Sequence, residues 1–362
     1  LWTEQEDLAV HTLTRLTPDL HAAWEYAAEN DRPLALRLTG DIYDFAYFRQ
    51  RLDLLRWGLP AVGWACADPD SAAALGTAAA ATWSAGRLAE AAVIAARGVE
   101  VAGGPDALPA ALPMEVAADI AMFLGHTDDA VAGYRRHAAL RHARGEPGPA
   151  LLAELAVAHA LINGQRTAEA AHVVAEALPH AVRSANPTAL AWAHYLAAEV
   201  AADTDPDQAA THYRTAIEFA DRADSRLFKT MAASSAAALQ SRTGSVHAAL
   251  EAFPEVLEQW IQLGNESALA WTLQQIVVLL TRCDAPEDAA VLAGAVLARA
   301  DIRPNFAIDT ERIGEALHRV RDRLGEQAAA AVFEAGSTLT WTATLTHGRR
   351  ALADAAVRGE PA

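Results

Sequence analysis

The residue types able to do chemistry are present in this chain, but not at the spacings that chemistry needs. Thirteen histidines are scattered, and no His-Glu-x-x-His or Cys-x-x-Cys occurs. The nearest pair, His137 and His142, sits in a basic stretch with Arg135, Arg136, Arg141 and Arg144. Five residues apart on a helix, the two diverge by about 140°, so they share no metal-binding face. That stretch reads as a solvated helix end whose cations suit the local dipole. No Gly-x-Ser-x-Gly elbow is found. The acidic pair Asp128-Asp129 fits the first turn of a helix better than a cation site. A phosphate loop needs glycines around a lysine, and the single lysine, Lys229, lies in Arg-Leu-Phe-Lys-Thr-Met. The reading is non-enzymatic, with no cofactor and no metal.

What remains is binding, and the elements that would position it are helices. The chain has 362 residues, 89 of them alanine, and alanine is the best helix former. Lys and Arg number 29 against 46 Asp and Glu, a net charge of −17, which argues against direct binding of nucleic acid. No apolar run is long enough for a membrane span. Cys66 and Cys283 are too few for a disulfide framework, and suggest a reducing cytoplasm. The chain begins at Leu1 without a signal-peptide pattern, and we expect it to be a fragment of a longer protein.

A repeat organises most of the chain. Ala91, Ala130, Ala170, Ala209, Ala249 and Ala289 recur every 39 or 40 residues, each just after a polar or glycine turn. One helix upstream, Ala79, Ala118, Val157, Ala197, Ala237 and Val277 follow the same period. An earlier copy, Tyr47–Gly58, is degenerate. Each unit reads as two helices that cross where only a small residue fits and that stack on their neighbours. Gly86, Gly125, Gly164 and Gly244 fall where a helix end needs a left-handed residue. The expected fold is all-α, a right-handed superhelical solenoid of about seven tetratricopeptide-like pairs. We divide it into a leader (1–17), repeats (18–300) and a C-terminal helical cap (301–362). Ser337–Thr346 is rich in alternating threonine, and reads as a frayed helix or a short strand.

Leu75–Gly98 and Met114–His137 resemble tetratricopeptide repeats, lengthened and with alanine replacing most signature aromatics. Leu20–Gly58 is similar to the junction where STAND-type regulators of the maltose-activator class leave their ATPase. Arg303–Thr340 looks like the closing segment of actinobacterial LuxR-type members. The resemblance implies a sensor region of a transcriptional regulator. Its ATPase and DNA-binding parts would lie outside this chain, and an effector or a peptide or protein segment would occupy its groove. A free-standing tetratricopeptide adaptor or peptide receptor remains the alternative.

Assuming every first helix presents the same face, positions three, six, ten and thirteen residues before each turn line the concave surface. From these we select Tyr47, Trp83, Glu115, Asp119, Met122, Glu154, His194, Trp271 and Gln274 as the candidate site. Arginines from the second helices, or else a cationic ligand or an Arg/Lys-bearing partner segment, would neutralise its acidic stretch. Trp192 stands one step off this register. Trp2, Trp24, Trp57, Trp64, Trp260 and Trp341 read as packing residues.

Overall fold

The computed structural model describes residues 1–64, 69–244 and 246–358, so Cys66 lies outside the described residues. Among these residues there are helices and turns and no strand. The N-terminal part consists of α1 (Glu6–Asn30), α2 (Arg32–Asp41) and three short helices: α3 (Tyr43–Phe48), α4 (Leu52–Leu55) and α5 (Ala61–Trp64). The boundary drawn between 17 and 18 therefore falls inside one helix. The degenerate first copy is broken up because Gln50 takes a left-handed conformation, φ 51°, between α3 and α4.

Six regular pairs follow. They are α6 (Pro69–Ser84) with α7 (Leu88–Val101), α8 (Ala111–Phe123) with α9 (Thr127–Ala143), and α10 (Pro147–Asn163) with α11 (Thr167–Ser184). Then come α12 (Pro187–Ala201) with α13 (Pro206–Arg222), α14 (Arg226–Thr243) with α15 (Val246–Leu263), and α16 (Glu266–Arg282) with α17 (Pro286–Leu297). Pro147, Pro187 and Pro206 sit in the first turn of their helices, where no amide proton is needed. Three final helices, α18 (Ala307–Leu324), α19 (Glu326–Ser337) and α20 (Trp341–Arg358), cover α15, α16 and α17. Ser337–Thr346 is helical on both sides of a short turn, and Gly336 and Gly294 let α19 press directly onto α17. From α6 to α19 each helix packs on its neighbour in sequence, as an all-α solenoid requires.

The second-helix ladder is the crossing point of the pairs. Ala91, Ala130, Ala170, Ala209, Ala249 and Ala289 are all completely buried. In the first-helix ladder Ala79, Ala118, Val157, Ala237 and Val277 are buried, but Ala197 is only half-buried and its neighbour Ala198 takes the interior position. The turn glycines also divide. Gly86 and Gly125 are left-handed, whereas Gly164 and Gly244 are not, and after α10 it is Gln165 that takes φ 60°. Gly164 is required for a different reason: a Cβ there would lie 2.5 Å from Thr127.

The chain also crosses both rims of its own stack. At the rim formed by the starts of α10, α12, α14 and α16, the capping residues Asn186, Ser225 and Asn265 recur at the repeat period. Each caps its own helix: Asn186 and Asn265 accept from the amides of Ala189 and Ala268, and Ser225 accepts from Phe228. Each also holds the N-terminal region. Asn186 donates to the Leu1 and Thr3 carbonyls, Ser225 to the Phe48 carbonyl, and Asn265 to Gln50 Oε1. Trp2 lies against Gly148, where a Cβ would meet it at 2.6 Å. At the opposite rim the segment 299–312 runs past the ends of α6, α8, α10 and α12. Asn305 donates its amide to the Phe123 carbonyl at 2.7 Å, Gln165 bonds Glu311, and Arg312 reaches Asp203.

Candidate functional site

Between the two crossing segments lies a cavity with about 160 Å³ of space open to the centre of a water molecule. Its walls come from α3, α6, α8, α9, α10, α12, α14, α15 and α16, and its ends from Trp2 and from Phe306, Ile308, Asp309 and Arg312. One wall is aromatic. Tyr47 stacks between Tyr43 and Trp83, Trp83 meets Phe123 edge-on at 4.9 Å, and Trp192 lies flat between Tyr195 and Phe228. Such amphipathic rings present both a face and a polar edge to whatever occupies the space.

Beside Tyr47 and Trp83 the lining carries charge. Asp119 on α8 accepts from the Tyr134 hydroxyl at 2.5 Å and from Tyr47 at 3.3 Å. Burial pushes its carboxyl up to about 7 in spite of these two donors. One turn earlier on the same face, Glu115 is also held well above the usual carboxylate range by burial. Arg141 opposes that shift, while Asp119 and Asp44 add to it. His137 donates Nδ1–H to the Ala111 carbonyl at 2.6 Å, and burial drives its pKa down to about 3, so it stands neutral. Arg141 bonds Glu146 at 2.8 Å and lies 3.8 Å from Asp44 and 3.9 Å from Glu115. At the far end Asp309 is saturated by the Trp271 indole at 2.7 Å, by Gln275 at 2.9 Å and by the nearby Arg312. No group of three His, Cys, Asp or Glu side chains suited to a metal ion occurs among the described residues.

Of the nine residues selected from the sequence, Tyr47, Trp83, Glu115, Asp119, Met122 and Trp271 line this cavity. Three do not. Glu154 points outward and pairs with His142 at 2.9 Å, so it does not join Glu115 and Asp119. His194 packs against His212 and Phe219 away from the cavity. Gln274 is 2 % exposed inside the stack.

A constant register fails because α8 and α10 barely touch, leaving α9 to floor the space between them. Tyr134, His137 and Arg141 of α9 thus face the interior, which corrects the solvated reading for His137 and Arg141, while Arg135, Arg136, His142 and Arg144 are exposed. Beyond this gap α10 presents Ala156 and His159, and α12 presents Trp192, Tyr195 and Glu199. Trp2 and Trp260, taken as packing residues from the sequence, line the cavity as well. No periodicity could place Trp2, which arrives from the far end of the chain. The Trp192/Tyr195 pair, three apart on a repeat helix, was a visible signal.

No protein-family model matches the chain, and no curated protein matches it in sequence. Solved structures do match in fold. A crystal structure of Rap protein complexed with Competence and Sporulation Factor superposes with a TM-score of 0.63 at 14 % identity, covering 98 % of this chain and 100 % of that one. At that identity the likeness establishes the architecture, a tetratricopeptide-like helical solenoid, and nothing finer.

Proposed function

We propose that this chain is a non-catalytic, ligand-sensing helical-repeat domain whose effector occupies the interior cavity. The carrying observation is the cavity itself: a concave space with aromatic walls and a few convergent polar groups, set where the solenoid's first helices meet. The Rap structure, solved with Competence and Sporulation Factor, supports a binding role for such a stack. In this reading effector binding is transmitted to ATPase and DNA-binding parts of a STAND-type regulator outside this chain, as the resemblance of Leu20–Gly58 and Arg303–Thr340 suggests. The second reading, a receptor that acts without such partners, draws on the same fold likeness.

The test is a thermal-shift screen of the chain against metabolites and short peptides, repeated with Trp83→Ala and Trp192→Ala. Hits that raise the unfolding midpoint of the parent and fail with both variants support the reading. Hits indifferent to both substitutions, or none at all, overturn it.

A further inference from the structure

We propose that the cavity takes a small organic cation, an ammonium or guanidinium seated against Glu115 and Asp119 and carried on an apolar body lying along the aromatic wall. This deepens the effector reading above and rests on it.

The first support is an imbalance of charge. Glu115 keeps 18 % side-chain exposure although protein surrounds it, because its carboxylate faces the cavity space. It accepts no hydrogen bond among the described residues. Its neighbours are His137 Nε2 at 3.7 Å and Arg141 at 3.9 Å. His137 offers no charge there: its Nδ1 holds the proton, and its Nε2 receives a hydrogen bond from Arg141. Arg141 gives its short contact to Glu146. Asp44 receives the Trp2 indole N–H at 3.1 Å, and Asp119 receives two phenols, all neutral donors. Asp44 and Glu115 thus share at long range one guanidinium that Glu146 already engages, and Asp119 has no cation beside it. Buried charge without a counter-charge is costly, and a cation entering here would relieve it.

A second, independent observation is Trp83. Its ring lines the cavity, it is nine-tenths buried, and its indole N–H has no acceptor. A hydroxyl or carbonyl on the ligand would supply one. Trp83 and Tyr47 also offer π faces beside the carboxylates, an arrangement that favours ammonium and guanidinium groups. At the other end Asp309 is satisfied and Glu199 receives the Tyr213 hydroxyl at 2.8 Å, so the Glu115 end holds the charged head. The small volume, with chain across both rims, favours a small molecule over a polypeptide segment.

The experiment is calorimetric titration of the chain with matched sets on common frames: 2-phenylethylamine, 2-phenylethanol and phenylacetate, then tryptamine with its alcohol and acid counterparts. An arginine-phenylalanine dipeptide amide supplies the same charge from a peptide. Amines are expected to bind about tenfold tighter than their alcohols, equivalent to ~1.4 kcal/mol, with no binding of the acids. Glu115→Gln should erase that preference without lowering the unfolding midpoint, since it removes a buried carboxylate that accepts no hydrogen bond. Alcohols or acids binding as well as amines would overturn the cation and leave the cavity as a ligand site. The dipeptide outcompeting every free amine would overturn the small-molecule assignment. No binding by any member at millimolar concentration would remove both readings.

Discussion

Glu6 is the residue whose loss should do most to free the N-terminal segment from the rim. Its carboxylate is completely buried at the start of α12, where Oε1 accepts from Arg49 Nη2 and the Thr188 hydroxyl, both at 2.7 Å. Oε2 accepts from the Thr188 amide at 2.9 Å and from Asn186 at 3.1 Å. An anion at a helix N-terminus is stabilising in itself. Arg49 is 3 % exposed and has two guanidinium nitrogens without partners already, so Glu6→Ala would leave it with the Ala223 carbonyl and no counter-charge. Breaking a buried pair from one side costs about 3–5 kcal/mol, roughly two to three and a half powers of ten in an opening equilibrium. The readout is native-state hydrogen exchange of the amides hydrogen-bonded around Glu6 and Arg49, including that of Thr188. Their protection should fall by that factor while amides within α14 and α15 change far less. Arg49→Met placed on top of Glu6→Ala should restore much of the loss, because it removes the stranded charge. If Glu6→Ala shifts protection less than tenfold, or if the two substitutions are additive, the pair does not hold the segment and the reasoning fails.

Three other expectations can be checked directly. Asp119 carries a folded pKa near 7 against an ordinary 3.8, so the folded state binds the extra proton, and stability should decline as pH rises from about 4 to 7. Asp119→Asn should flatten that slope in urea titrations at stepped pH. His159 behaves oppositely: burial lowers it to about 4, so stability is lost as pH falls from about 6.5 towards 4, and His159→Phe should reduce that acid sensitivity. Ala237 is 1 % exposed at a crossing, so Ala237→Leu should overpack it and cost about 1–3 kcal/mol by denaturant midpoint.

The periodic part of this molecule was open to sequence reading because helix crossings demand small residues at fixed intervals. Ala130 and Ala249 needed no long-range information to be placed inside. Glu115, Asp119 and Met122 could be put on one face of α8 for the same local reason. Glu154 could not be placed by adding one period to Glu115, since that step assumes α10 stacks on α8 as α8 stacks on α6. The widened gap at α9 breaks that assumption, and it rotates which side chains of α10 and α12 look inward. Trp2, Phe306 and Asp309 belong to segments brought in from the two ends of the chain. The hydrogen bonds that seat them, from Asn186 to Leu1 and from Asn305 to Phe123, join residues more than 180 positions apart. Nothing in a 40-residue repeat encodes such contacts.

Both rims of the stack are crossed by the chain itself, and this has a kinetic meaning. Where a ligand's route to Glu115 passes one of the two crossing segments, that segment must first lift. Association should then saturate with ligand concentration at the rate of that opening, below the 10⁵–10⁷ M⁻¹s⁻¹ typical of open encounter. The observed affinity would be reduced by the fraction of molecules that are open. Once the segment closes again, dissociation waits on the same event, so residence would be long compared with what the contacts alone would give. Loosening Glu6 and Arg49 should therefore speed entry and exit together, a signature that separates a gate from a wall of the site.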